Sequence, residues 1–208
     1  GKNHVTVQTG VRKGKLDQVL AKQGKFLGPN PSVGPYCTIG GMIGTNASGV
    51  HSLKYGSIID NLLAVTVVTG QGKLVNLTPK TSLAKSVTAI AKSTANYPNV
   101  SKNSCGYRLD KITSPQIIPK IIAGSEGTLG IVVSAKLQVH TIPKKKMLLI
   151  VGYDSPKTAL HECQNIVSLK PSAVEFIDGY TMKNFQKKFP KKTRCLLFVE
   201  FDSAIASS

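Results

Sequence analysis

The chain has 208 residues, with 27 Lys and Arg against 10 Asp and Glu, and 41% of its side chains are hydrophobic. That length suits one large domain or two small ones, and the Val, Ile and Leu content offsets the entropy of ordering, which excludes intrinsic disorder as the main state. No run approaches the roughly 18 uncharged apolar residues of a membrane span, and the opening GKNHVTVQTG has no apolar signal core, so a cytoplasmic chain is expected.

In chain order, VTVQTG alternates like a half-buried strand, and LDQVLAKQG spaces Leu16, Val19 and Leu20 as a short amphipathic helix ending at Gly24. From Gly28 to Gly49, Gly and Pro are so dense that no regular element is expected, only a long functional loop. NLLAVTVVTGQGKLVNL reads as two strands of a hairpin around Gly70-Gln71-Gly72. Residues 82–95 predict a helix with Leu83, Val87, Ile90 and Ala91 on its buried face. A loop, YPNVSKNSCGYRLD, leads to an apolar segment interrupted by Pro119, and GSEGTLGIVVSAKLQVH reads as a glycine-rich turn feeding a long strand.

Pro143 and Lys144, Lys145 and Lys146 mark a boundary, giving expected domains 1–142 and 143–208. Beyond it, MLLIVGY, a helix over 156–169, AVEFID, a helix over 180–189 and CLLFVEF alternate β-α-β-α-β.

The formal net charge of +17 divides into +12 over residues 1–142 (16 basic, 4 acidic) and +5 over 143–208 (11 basic, 6 acidic). The second dense cluster is Lys187, Lys188, Lys191, Lys192 and Arg194. A solvated surface is the plain reading of such charge; peripheral contact with anionic lipid, or an anionic substrate or cofactor, are the functional ones. Cys37, Cys105, Cys163 and Cys195 are widely spaced with no CxxC, so reduced thiols are expected rather than a zinc site or disulfide framework. The lack of Trp and the 6% aromatic content argue against a base-stacking surface, and no nucleic-acid partner is expected.

Two glycine segments carry chemistry. In Thr38 to Gly49, missing Cβ atoms let backbone N–H groups approach an anion closely, and short hydroxyls add donors, which suits a pyrophosphate. A tight turn between packed elements accounts for the same composition. No Lys follows as in GxxxxGK[ST], and G-x-G-x-x-G after a strand is absent, so a nucleoside-triphosphate site is not expected. The second segment, Gly124 to Gly130, has one carboxylate, Glu126, to accept from a ribose hydroxyl or from a backbone N–H that holds the loop.

At these segments the sequence resembles a known family. PSVGPYCTIGGMIGTNASGVHSLKYGSIIDNLLAVTVVTGQGKLV is similar to the flavin-binding signature of the FAD-linked oxidases, and KNSCGYRLDKI followed by IIAGSEGTLGIVVSAKLQVHTIP resembles the same family's later motif in the same order and distance. The resemblance covers most of residues 30–142. It implies an α+β fold, the second subdomain of a PCMH-type FAD-binding domain followed by the start of an α+β cap domain. It also implies FAD as cofactor, lined by Ser32, Val33, Gly34, Pro35, Tyr36, Cys37, Thr38, Gly40, Gly41, Gly44, Thr45, Asn46, Ser48 and Gly49. Glu126, Gly127, Gly130, Ile131 and Val132 complete the site near the adenine, with Asn103, Gly106 and Tyr107 close by and His51 a spacer in the loop.

For the branch of the family acting on D-lactate or glycolate, the implied reaction is oxidation of a small 2-hydroxy acid by hydride transfer to flavin N5. The implied electron acceptor is a quinone, a cytochrome or an electron-transfer protein. The family's RGGGT-type pyrophosphate loop, and the later His-rich segment that supplies its base and, in some members, a metal, have no counterpart in this sequence. A piece of a longer flavoprotein is therefore expected. His4, His51, His140 and His161 form no cluster or metal-ligand pair, so no catalytic residue and no metal ligand is assigned, and Arg108 is the candidate for a substrate carboxylate. The alternatives are a non-catalytic FAD-binding subunit and, last, a basic nucleic-acid-binding module.

Overall fold

Alternating and clustered apolar residues build two units in a computed structural model that describes residues 3–93, 97–98, 100, 102–183 and 188–202. The first unit comprises Gly1–Gly49 with Gly56–Ile142, and the second Val50–Tyr55 with Pro143–Ser208. In chain order the elements to the end of the first unit are β1 (His4–Gln8), α1 (Lys13–Ala21), β2 (Lys25–Phe26), α2 (Ile39–Gly44), α3 (Ser52–Tyr55), α4 (Ile58–Asn61), β3 (Leu62–Val68), β4 (Leu74–Leu77), α5 (Ser82–Ser93), β5 (Ile131–Gln138) and β6 (His140–Thr141). Those of the rest are β7 (Met147–Tyr153), α6 (Pro156–Ser168), β8 (Ala173–Ile177), α7 (Gly179–Met182) and β9 (Cys195–Phe201).

The first unit's main sheet has the order β1-β5-β3-β4, antiparallel throughout. Register runs His4 against Gln138 and Val65 against both Ala135 and Leu77, with irregularities in the β3–β5 pairing near Leu62 and Val67. β3 and β4 form the expected hairpin, closed by Thr69 N–H donating to the Lys73 carbonyl at 2.9 Å. One face of the sheet buries Val65, Ala135 and Leu137 in a core shared with Leu16, Leu20, Ile43, Ile58 and Ile122.

Two expectations are corrected. Gly and Pro density over 28–49 did not preclude a regular element, because IGGMIG is the helix α2. Each helical glycine costs about 1 kcal/mol relative to alanine, but Ile39, Met42 and Ile43 share one fully buried face worth about 1.5–3 kcal/mol per side chain, and Thr38 caps the start by accepting from Gly41 N–H at 3.1 Å. On α5 the buried face is Ala84, Thr88 and Ala91, whereas Leu83 and Ile90 are half exposed. The small residues let the helix approach the 3-10 turns of Pro115–Ile122, and Thr88 Oγ1 satisfies itself on the Ala84 carbonyl at 2.7 Å. Residues 94 and 95 of that expected helix lie outside the described residues.

The second unit's sheet has the order β7-β9-β8, antiparallel at both pairings. Its core gathers Ala159 of α6 with Cys195, Leu197 and Val199 of the central strand. The β-α-β-α-β order matches the sequence pattern, and α7 is capped by Asp178, whose carboxylate accepts from Thr181 N–H at 2.8 Å. Residues 184–187 of the expected helix lie outside the described residues. Among the described residues no helix is long and apolar enough to cross a membrane.

Leu137 is fully buried on the strand that joins β1 to β3. Leu137→Ala is expected to lower unfolding free energy by about 2–5 kcal/mol, and Leu83→Ala by no more than about 0.5 kcal/mol, read from denaturant midpoints.

Candidate functional site

α2 separates two clefts of the first unit. One, of about 340 Å³, is lined by Thr9, Gly10, Thr38, Gly40, Gly44, Ser125, Gly127, Gly130, Ile131 and Val132. The other, of about 470 Å³, is lined by Pro31, Val33, Cys37, Thr38, Gly41, Met42, Thr45, Asn46, Ala47, Ser48 and Ser104. The helical period explains the division: Gly40 and Gly44, four residues apart, face one cleft, and Gly41 and Thr45 the other.

The two glycine segments meet through backbone bonds. Gly124 N–H donates to the Ile43 carbonyl and Glu126 N–H to the Gly44 carbonyl, each at 3.0 Å, which satisfies carbonyls at the end of α2. Gly124 is at φ +84°, and a Cβ there would stand 2.7 Å from the Gly106 carbonyl oxygen, so only glycine fits. Asn46, fully buried at φ +46°, closes the other side: its Oδ1 accepts from Ile59 N–H at 3.1 Å and its Nδ2 donates to the Asn103 carbonyl at 3.4 Å.

The helix start is already satisfied. Ile39 N–H donates to the Val11 carbonyl at 2.9 Å, Gly40 N–H to the Thr9 carbonyl at 2.8 Å, and Gly41 N–H to Thr38 Oγ1. These N–H groups therefore do not await an anion, and the expectation that the glycines of this stretch present backbone donors is corrected. What they supply is room. A Cβ at Gly44 would sit in the first cleft in ordinary contact, 3.8 Å from the Glu126 Cα, so a larger side chain would fill the cradle. Polar groups on the walls are the hydroxyls of Thr9, Thr38, Thr45, Ser48, Ser104 and Ser125 and the Asn46 amide; neither lining contains a charged side chain. Small walls with neutral donors and no carboxylate fit a flat, anionic cofactor such as a flavin dinucleotide.

Of the residues named from the sequence, Thr38, Gly40, Gly44, Gly127, Gly130, Ile131 and Val132 line the first cleft, and Val33, Cys37, Thr38, Gly41, Thr45, Asn46 and Ser48 the second. Ser32, Gly34, Pro35, Tyr36, Gly49 and Glu126 line neither. Gly34 and Pro35 pack against α1, where a Cβ on Gly14 would stand 2.9 Å from the Pro35 carbonyl oxygen; Tyr36 is exposed. Glu126 contributes its backbone to the loop, at φ +49°, and its carboxylate is exposed.

Tyr107 hydrogen-bonds through its hydroxyl to Thr128 Oγ1 at 2.6 Å, bracing the Gly124–Gly130 turn. Arg108 is a correction. Its guanidinium is buried against the Asp110 carboxylate, with contacts of 2.7 and 2.6 Å, and against the Asn103 carbonyl at 2.5 Å, so it holds a loop rather than awaiting a substrate carboxylate. His51 lines neither cleft; its Nε2 lies 2.9 Å from Glu200 Oε1.

Thr9 and Gly10 lie outside the two glycine segments that the sequence singles out, whereas Ser125 falls within the second. Thr9 and Gly10 follow a strand with no motif of their own; the β1–β5 pairing, extended by Thr9 Oγ1 donating to the Val132 carbonyl at 2.6 Å, brings them to the cleft.

Comparison with known proteins bears on this geometry. A family model described as an FAD binding domain matches residues 1–78. The chain is 32% identical over 199 residues to D-2-hydroxyglutarate dehydrogenase of Escherichia coli (84% of this chain, 20% of the relative), and 31% identical over 194 residues to D-lactate dehydrogenase of Anaerostipes hadrus (90% and 34%). It is 30% identical over 203 residues to glycolate oxidase subunit GlcD of Bacillus subtilis (95% and 37%). The chain thus spans between a fifth and little more than a third of the length of these relatives. Among solved structures, alkyldihydroxyacetonephosphate synthase superimposes with a TM-score of 0.68 at 24% identity, covering 97% of this chain and 35% of that one, a likeness of fold.

The Arg108 hydrogen bonds hold the Asp110 carboxyl below the usual carboxylate range, against the opposing effect of its burial. A depressed carboxylate stabilises the fold above its unfolded pKa of about 3.9, and that stabilisation is lost as pH falls through the lower folded value. Asp110→Asn is therefore expected to be less stable than the parent at neutral pH and to lose less stability below about pH 4, measured as the urea midpoint against pH; parallel curves would contradict the pairing.

Proposed function

We propose that the protein carrying this chain, a member of the FAD-linked oxidase family with a PCMH-type FAD-binding domain, oxidises a small 2-hydroxy acid and delivers the electrons to a quinone, a cytochrome or an electron-transfer protein. Residues 1–142 are part of the FAD-binding domain, and residues 143–208 begin the substrate domain. The observation that carries the reading is the meeting of both glycine segments on α2, which leaves two small-walled, charge-free clefts. The relatives' names support the substrate class, since 2-hydroxyglutarate, lactate and glycolate are all 2-hydroxy acids.

When bound, FAD supplies the hydride acceptor. The chain's own residues bind and orient. Gly40, Gly44, Gly127 and Gly130 admit the cofactor close to the backbone, and Thr38 and Ser125 on that side, with Ser48 on the other, offer hydroxyls to its phosphates and sugar hydroxyls. Thr9 and Thr45 present hydroxyl oxygens whose protons are given to backbone carbonyls, and Asn46 holds the wall in place. Ile131 and Val132 give an apolar wall that excludes water. Ser32, Gly34, Pro35, Tyr36 and Gly49 act by holding the loop's shape, and Glu126 by its backbone. The excess of basic over acidic residues in 1–142 raises the local concentration of an anionic substrate. The catalytic base is not assigned within this chain.

The test is the absorption spectrum of the full-length protein between about 350 and 500 nm, followed without oxygen as D-lactate, glycolate and D-2-hydroxyglutarate are added, because the redox change is borne by the cofactor. Flavin bands that bleach with one of the acids are expected. Bands that persist with all three favour a non-catalytic FAD-binding subunit, and an absence of bands after FAD is supplied removes the flavoprotein reading. Gly44→Val, which keeps a helix-compatible residue but fills the first cleft, is expected to fold and to weaken FAD binding by about tenfold or more.

A further inference from the structure

The turn Val50–Tyr55 interrupts the first unit in sequence and belongs to the second. Its three ionisable side chains end on β9 and the residue just after it. His51 Nε2 lies 2.9 Å from Glu200 Oε1, which also accepts from Ser172 Oγ at 3.0 Å and faces Lys146 Nζ at 3.7 Å. Lys54 Nζ donates to Asp202 Oδ1, and the Tyr55 hydroxyl donates to Asp202 Oδ2 at 2.5 Å. Both oxygens of a carboxylate with 1% side-chain exposure are thus taken by one short turn, and the Lys54 ammonium also stands 5.4 Å from the Tyr55 ring centroid. Burial alone would push Asp202 toward the neutral acid; the Lys54 and Tyr55 hydrogen bonds outweigh it and hold the group ionised. Lys54 is itself partly exposed, but removing it leaves a buried carboxylate short of a partner, which costs stability.

Both covalent ends of the turn continue into the first unit. Gly49 lies against the Asn30 carbonyl oxygen, where a Cβ would stand at 2.0 Å, and the residue before it, Ser48, is on the wall of the second cleft. Gly56, at φ +73°, leaves 2.6 Å between a Cβ and that of Asp60, whose carboxylate accepts from Ser57 N–H at 2.9 Å to start α4. α4 in turn supplies the Ile59 N–H that fixes Asn46.

We infer that His51, Lys54 and Tyr55 are positioning residues, which by anchoring the turn to Glu200 and Asp202 make the Thr45–Ser48 wall, and with it FAD retention, depend on the folded second unit. The inference rests on the FAD reading of the cleft. None of the three side chains lines a cleft; they act through the backbone that joins them to Ser48 and to α4. A network that served only the second unit's own stability would leave cofactor affinity untouched wherever the protein is fully folded.

The experiment titrates FAD into full-length apoprotein, following flavin fluorescence, at a temperature well below each variant's thermal midpoint. Lys54→Ala and Asp202→Asn are expected to bind FAD about tenfold more weakly, within the range of coupling between sites. Lys54→Arg, which keeps the ion pair, is expected to restore parental affinity. Tyr55→Phe removes one hydrogen bond only and serves if the first two fail to fold, with a weakening of about threefold. Leu197→Ala, which loosens the second unit's core without touching the turn, is expected to lower the thermal midpoint and leave affinity unchanged. Parental affinity in Lys54→Ala and Asp202→Asn, or equal weakening in Leu197→Ala, would overturn the inference while leaving the FAD reading intact. A parent protein that takes up no FAD would overturn both.

Discussion

The first unit's candidate site depends on two backbone hydrogen bonds, from Gly124 and Glu126 to the carbonyls of Ile43 and Gly44. The end of a six-residue helix rich in glycine has little stability of its own. Docking the second glycine segment there satisfies its carbonyls, brings residues some eighty positions apart into one wall, and leaves a cleft on each helical face. The constraint is steric as well. With the Gly106 carbonyl against Gly124, no side chain fits at that position, so the segment's composition follows from the docking.

The same economy separates scaffold from binding wall. Arg108, Asn46 and Tyr107 carry polar chemistry that the sequence points toward function, yet each is spent on holding a loop, Arg108 with Asp110 as its partner. The walls themselves have hydroxyls, one amide, glycines and apolar side chains. A wall without carboxylates suits an anionic cofactor, because an unpaired acid there would repel its phosphates.

Much of this was legible beforehand, and the misses have physical causes. The β3–β4 hairpin and the second unit's alternation were readable because they rest on local patterns, turn glycines between β-branched runs and period-two strands. α2 was hidden because three glycines dominate six residues, although the spacing of Ile39, Met42 and Ile43 is helical. On α5, Ala91 and the partly buried Val87 lie on the expected face, but close packing selects Ala84 and Thr88 over the bulkier Leu83 and Ile90. Thr9 and Gly10 reach the cleft only through pairing with a strand more than 120 residues later, which no local signal announces. The residues that the family resemblance names include most of those beside the two clefts, whereas Gly49 and Pro35 line neither.

A crystal structure of the full-length protein with FAD bound tests the central claim most directly. Cofactor density passing over Gly40, Gly44 and Gly127, with its polar atoms about 3 Å from the hydroxyls of Thr38 or Ser125, is the expected result. Density for the whole cofactor elsewhere, with both clefts beside α2 open to solvent, would contradict it.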